Sequence, residues 1–421
     1  MTRFTRAGAV VGALTLVASL ALTGCGDKQK KPAFVGGTSA ADAGAAPGSS
    51  APSAPTTPST PTLTLSPADG ANNRPVSTEI SAKLPGGGKV SAVTLTADGG
   101  GTVEGKLRTD GSAWVPSAPL KFGTRYTATL TASAADGTSS QGTSSFTTMA
   151  KPKSTIGSGL YLFDDKSYGV AMPVVTEFHP GIPKKDRAAV QKRMFVRTDP
   201  PQPGAWHWVD NGSQAYYRAP KYWKPGTTIS VRIALAGMPL SNGKYGDMDR
   251  KATAKIGRSF EMKVDNASKK MAVYENGALV RTIPVSLGKK STPSSSGTMV
   301  VMEKKEATTF DTRDDPDPAN RYVTDIQFAQ RLTWGGEYIH AAPWSEHVQG
   351  RQNVSHGCVN VSMANARWLF DKTRIGDPIT VKGTERKIVA GNGWTAWSLS
   401  WSAFIKGSAL PVPSGGAGPL L

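Results

Sequence analysis

Residues 355–360 read Ser355-His356-Gly357-Cys358-Val359-Asn360. This stretch holds one of the two cysteines of the chain, set among a hydroxyl, an imidazole and a glycine. The other, Cys25, closes an N-terminal apolar run; if it is consumed there, Cys358 is left without an internal disulfide partner. A second histidine, His340, ends the strand-like run Tyr338-Ile339-His340, 18 positions before the thiol. A lone thiol with imidazoles at such spacings points to nucleophilic chemistry. A thiol becomes a usable nucleophile only as thiolate, which normally requires a nearby cation or dipole. Three devices are in reach: His356, which in a strand would share a face with Cys358; His340; and the N-terminus of a helix starting near Ser362. Gly357 lets the backbone turn and bring amides to a developing oxyanion.

Duller readings compete. A buried structural cysteine is the default for an isolated thiol, but a Ser-His-Gly context helps neither packing nor propensity. Metal binding by His340, His356 and Cys358 lacks a fourth ligand with recognisable spacing, so no metal and no other cofactor is expected. A papain-like peptidase needs a histidine after its cysteine, and none follows Cys358. His179, beside Pro180, and His207, between Trp206 and Trp208, read as structural.

Upstream of this segment the chain is modular. Arg3 and Arg6 precede an apolar run from Ala7 to Leu22, ending in Leu22-Thr23-Gly24-Cys25. That is the layout of an export signal, with a core too short to span a bilayer stably. Leu-Thr-Gly-Cys resembles the lipobox of bacterial lipoproteins, which implies cleavage after residue 24, acylation of Cys25 and a membrane tether on the outer face. Residues 25–62 are rich in Ala, Pro, Ser, Thr and Gly and read as a disordered spacer. About 30 residues at ~3.1 Å each reach on the order of 90 Å, which places a target within the cell wall. Lys and Arg number 49 against 31 Asp and Glu, a formal net charge of +18. Those charges are scattered, with no basic helix or zinc-knuckle spacing, so nucleic acid is a poor partner; an anionic wall polymer or membrane surface suits them better.

Residues 63–149 alternate in short runs, such as Tyr126-Thr127-Ala128-Thr129-Leu130, between Asp-Gly turns at 69, 98, 110 and 136. This predicts a small β-sandwich. Residues 150–258 repeat the theme. Leu120 to Tyr126 is echoed by Trp223 to Ile229, and Ser145-Phe146 by Ser259-Phe260, which predicts a tandem immunoglobulin-like pair. A third domain spans 259–383, with a hairpin turn at Asn276-Gly277, a strand at Thr298–Met302 and a long charged loop over Glu303–Tyr322 that reads as a lid. Ser362 caps a helix presenting Ala366, Leu369 and Phe370, Gly376 stops it, and Ile379–Val381 is the last strand. In the tail, 384–421, Trp394, Trp397 and Trp401 fall on one helical face and read as a clasp against the folded body.

His340-Ala341-Ala342-Pro343-Trp344 and the Ser-His-Gly-Cys-x-Asn string, with Arg321 to Asp325 upstream and Asn365 to Trp368 downstream, resemble the L,D-transpeptidase (YkuD-type) catalytic domain. Lipobox, linker, two immunoglobulin-like modules and Trp-rich tail together resemble the actinobacterial, mycobacterial-type enzymes. The resemblance implies a mainly β fold: two immunoglobulin-like modules, then a β-rich catalytic domain with a short helix after the cysteine. It implies Cys358 as nucleophile, His340 as general base and the Ala341 backbone carbonyl as the group orienting that imidazole. Relatives often carry serine at the Ala341 position, and a main-chain contact tolerates the change. It further implies that the amides of His356, Gly357 and Cys358 line an oxyanion hole, with Tyr322 on the lid side, Trp344 beside the base, and Ser355 and Asn360 in supporting polar positions. His347 has no counterpart and reads as loop solvation. The implied substrate is the peptidoglycan stem peptide and the implied product a 3→3 cross-link; carbapenems are expected to acylate Cys358. The alternatives are an L,D-carboxypeptidase on the same stem and a non-catalytic wall-binding lipoprotein. No obligate protein partner is implied.

Overall fold

A computed structural model describes residues 63–314, 317–318 and 321–421. Cys25, the export signal and the spacer to Thr62 lie outside the described residues. Within those described, no helix is long and apolar enough to cross a membrane.

The described residues form three successive β bodies. In the first, a five-stranded sheet orders Ala71–Arg74, Ser139–Thr148, Arg125–Ala134, Gly88–Ala97 and Gly101–Val103. Strict alternation along Arg125–Ala134 buries Tyr126, Ala128, Leu130 and Ala132, so one face packs on Ile80, Trp114 and Phe146. In the second, sheets of five and four strands enclose Trp206, Tyr216, Trp223, Ile229 and Ile233. The proposed echo between the modules holds at one end only. Leu120 and Trp223 are both buried just ahead of equivalent strands. The partner of Tyr126 is Phe146, whereas the partner of Ile229 is Ala254. Ser259-Phe260 instead opens the third body, because the second sandwich has already closed with Asp249–Ile256.

The third body stacks two sheets. We label its strands β1 (Phe260–Asp265), β2 (Lys270–Glu275), β3 (Ala278–Pro284), β4 (Ser295–Val300), β5 (Glu303–Asp311), β6 (Val323–Arg331), β7 (Tyr338–Ala341), β8 (Val359–Val361), β9 (Pro378–Lys382) and β10 (Arg386–Lys387), with helix α1 at Met363–Lys372. One sheet runs β3-β2-β1-β9-β4-β10 and the other β5-β6-β7-β8. The apolar faces of both meet in a core of Phe260, Val273, Met299, Ile339, Val361, Leu369 and Ile379. Asn276 and Gly277 turn β2 into β3 with φ of 50° and 85°, the left-handed pair a two-residue hairpin needs.

α1 begins where expected. The Ser362 hydroxyl accepts from the Asn365 amide at 3.3 Å, and Glu346 accepts from the Met363 amide at 3.1 Å, satisfying two otherwise orphaned donors. The helix stops at Lys372, before Gly376, and Lys304 donates to the Phe370 and Thr373 carbonyls at its end. The expected long loop at Glu303–Tyr322 is half strand: Glu303–Asp311 pairs with Val323–Arg331 except at Glu306 and Phe328, the latter with φ of 53°. Alternation was invisible there because most β5 side chains lie in the open.

The tail is a clasp without being one helix. Ala396–Ser398 forms a 3-10 turn, and a separate helix covers Trp401–Ile405. Its aromatics gather around buried Arg218 of the second body, whose guanidinium lies 4.4 Å from the Trp397 ring, 5.3 Å from Trp401 and 4.3 Å from Phe404. Arg218 also donates to the carbonyls of Ala219, Ala396 and Leu399. His207 stacks on Phe404 at 4.9 Å, the structural role expected of it; His179 is exposed at a strand end.

Candidate active site

The ladder of the second sheet sets the site. β7 and β8 run parallel with Ile339 opposite Val359 and His340 opposite Asn360. Side chains alternate across a strand, so His340 and Asn360 face away from the core that receives Ile339 and Val359. Cys358, two residues before Asn360, enters the same concavity. The cavity, about 320 Å³, is lined by Phe310, Tyr322, His340, Trp344, Cys358 and Asn360 among others. Tyr322, Ser355 and His356 share that lining.

His340 is buried, its ring between Phe310 at 5.6 Å and Trp344 at 6.0 Å. Its Nδ1 lies 2.8 Å from the Ala341 carbonyl oxygen. A carbonyl only accepts, so Nδ1 carries the proton and Nε2 keeps its lone pair. Burial pushes the imidazole down to about 4, more than the Ala341 carbonyl raises it. Burial likewise pushes the Cys358 thiol up to about 12; the Tyr338 amide opposes this and Glu337 adds to it. The helix and histidines do not make a resting thiolate. The pair is a neutral thiol and a neutral imidazole, with the sulfur donating to the Gly336 carbonyl at 3.6 Å.

Residues 355–358 form a turn before β8, so His356 and Cys358 do not share a strand face: the thiol is buried and His356 is exposed. His356 Nε2 lies 3.0 Å from Lys289 Nζ, and its ring is 5.0 Å from that of Tyr322. The Ser355 hydroxyl spans the turn, donating to the Cys358 carbonyl at 2.7 Å and accepting from the Gly357 amide at 3.1 Å. Of the three amides expected in an oxyanion hole, that of Gly357 is therefore already occupied. Gly357 has φ of 125°, a region that excludes side chains on conformational grounds although a Cβ would meet nothing closer than 3.6 Å. Asn360 donates to Ser345 at 3.3 Å, and its Oδ1 has no protein partner. Trp344 is 53% exposed at the rim and His347 is exposed. Among the described residues no cluster of three or more metal-ligating side chains occurs.

Sequence reasoning missed Phe310, hidden in the stretch read as loop, and the buried polar group Ser294, Ser295 and Glu337 behind the turn. No periodic signal marks the latter.

A buried thiol and an imidazole whose Nε2 keeps its lone pair thus share one pocket. The L,D-transpeptidase catalytic domain family matches residues 259–381 and the bacterial Ig domain family residues 71–239, the latter running across both upstream bodies. L,D-transpeptidase 2 of Mycobacterium tuberculosis (strain CDC 1551 / Oshkosh) is 32% identical over 355 residues, 82% of this chain and 85% of the relative. L,D-transpeptidase 5 of strain H37Rv is 32% identical over 365 residues, 84% of this chain and 78% of the relative. A solved L,D-transpeptidase in complex with imipenem is 32% identical, covering 55% of this chain and 100% of that one with a TM-score of 0.46. The chain belongs to the L,D-transpeptidase family.

Proposed function

We propose that the chain is a peptidoglycan L,D-transpeptidase with Cys358 as nucleophile and His340 as general base. The observation that carries this reading is the lock on His340: Nδ1–H held by the Ala341 carbonyl leaves Nε2 as the only ring acceptor, in the pocket that contains the thiol. Attack on the L-to-D amide carbonyl of a donor tetrapeptide forms the S–C bond while the thiol proton passes to Nε2. The amides of His356 and Cys358, with the Tyr322 hydroxyl at the rim, are assigned to the oxyanion. Collapse breaks the C–N bond, and His340 returns the proton to the departing D-alanine amine. A side-chain amine of a second stem then attacks the thioester, forming a new C–N bond as the sulfur leaves and regains a proton, which yields the 3→3 cross-link.

A neutral resting pair suits this sequence, since proton transfer is needed only once substrate is in place. The β5–β6 hairpin, carrying Phe310 and Tyr322 over the pocket, favours transfer over hydrolysis by excluding water. Acylation of Cys25 would tether the enzyme to the membrane's outer face. Residues 63–149 and 150–258 would act as immunoglobulin-like stalk modules, and 259–383 as the catalytic domain. Incubation with a carbapenem tests the nucleophile: peptide mass spectrometry should find the adduct on Cys358 and none on Cys358→Ala. An adduct elsewhere contradicts the assignment.

A further inference from the structure

The mechanism leaves one buried charged group unused. Glu337 is 5% exposed, directly after the Gly336 carbonyl that accepts from the thiol. Its carboxylate accepts from the Ser295 amide at 3.1 Å, from the Ser295 hydroxyl at 2.7 Å and from the Arg386 guanidinium. Its own backbone closes the 332–337 turn: the Glu337 carbonyl accepts from the Leu332 amide at 2.8 Å, and its amide donates to the Thr333 hydroxyl at 3.0 Å. The neighbouring Ser294 hydroxyl donates to the Gly357 carbonyl at 2.7 Å. Two adjacent serines at the start of β4 thus hold both sides of the sulfur. Ser294 fixes the turn that carries it, and Ser295, through Glu337, fixes the turn that carries its acceptor. A Cβ on Gly357 would stand 3.6 Å from Glu337 Cγ and 3.8 Å from Arg386 Nη2, so the ion pair packs directly under the turn bearing the thiol.

We propose that Glu337 is a positioning residue: clamped by Ser295 and Arg386, it holds the Gly336 carbonyl against Cys358, where that carbonyl engages the thiol proton until a stem peptide arrives. The inference rests on Cys358 being the nucleophile. The other groups facing the sulfur are His340 and Tyr338 on β7 and Tyr322 on the hairpin, with His356 sharing the cavity lining; Arg386 is the cation paired with Glu337. A thiol held in this way forms little thiolate, the species that oxidants attack. For a lone cysteine working outside the cell, that is protection gained without loss of the substrate-driven step.

The test is alkylation of the full chain by iodoacetamide from pH 7 to 10, with Cys358 and Cys25 resolved by peptide mass spectrometry. Glu337→Gln keeps the shape and breaks the ion pair that clamps the turn, so Cys358 should react several-fold faster across this range. Arg386→Met removes the other half of the clamp from an exposed position, so Cys358 should again react faster. Faster rates in both variants support the proposal; a Glu337→Gln rate unchanged or lower overturns it. Should Glu337→Gln fail to fold, Arg386→Met decides alone: a faster rate supports the proposal and an equal or slower one overturns it. The assay uses no substrate, so its failure leaves the transpeptidase reading standing.

Discussion

The Nδ1–H of His340 donates to the carbonyl of its own neighbour Ala341 at 2.8 Å, a contact made by main chain and therefore indifferent to the side chain at 341. His340→Gln removes the proton acceptor from the pocket and should lower thioester formation by about 10²- to 10⁴-fold. Ala341→Ser should leave it within a few-fold. Single-turnover acylation rates decide; a large loss in the Ala341 variant would mean that the side chain matters.

The pH profile follows from the neutral pair. Burial holds His340 down to about 4 and Cys358 up to about 12. The base is lost only when Nε2 is protonated, so kcat/KM should fall on the acid side near pH 4, with no second limb around the ordinary cysteine range. An acid limb centred near 6.5 would indicate an exposed, unperturbed imidazole.

Gly357→Ala tests the turn. A Cβ has room, but the backbone at φ 125° does not suit it, so the cost should be about 1–3 kcal/mol of local strain. Acylation should fall while the melting temperature changes by a few degrees. Full activity would show that the turn relaxes freely.

How much of this was legible depended on whether a signal was local. The Asn276-Gly277 turn, the Ser362 cap and the strand that carries His340 each rest on a few neighbouring residues and appear where the sequence puts them, although that strand runs one residue further, to Ala341. Phe310 was hidden because β5 lies at the edge of its sheet with side chains open on both faces, so charge masked the strand. Glu337 gave no signal at all: its partners Ser295 and Arg386 are 42 and 49 positions away. The indole spacing in the tail was helical by count, yet the tail bends around Arg218 because its carbonyls and ring faces serve that buried cation.

Arg218→Met should therefore loosen the clasp. It removes donors from buried carbonyls of Ala396 and Leu399 as well as the ring contacts, costing about 3 kcal/mol. The variant should melt earlier and be cleaved by protease after residue 383 while parent protein resists. An unchanged melting curve would show that the rings alone hold the tail.

Asp377 links stability to pH. Burial, against Arg374, Arg258 and Lys304, raises its carboxyl to about 7. Being raised above the unfolded value, it contributes stability that is fully present below about pH 4 and lost as pH rises through about 7. Asp377→Asn cannot lose that proton, so its melting temperature should gain on the parent's steadily from pH 4 to 8. A constant difference would refute the linkage.

The most direct test of the proposed reaction is to incubate residues 63–421 with a disaccharide-tetrapeptide and follow protein and product by mass spectrometry. A tripeptide thioester on Cys358, release of D-alanine and then a 3→3 cross-linked dimer are expected, all absent in Cys358→Ala. Abundant free tripeptide without dimer would contradict the transferase and leave a hydrolase; no thioester at all would contradict the nucleophile.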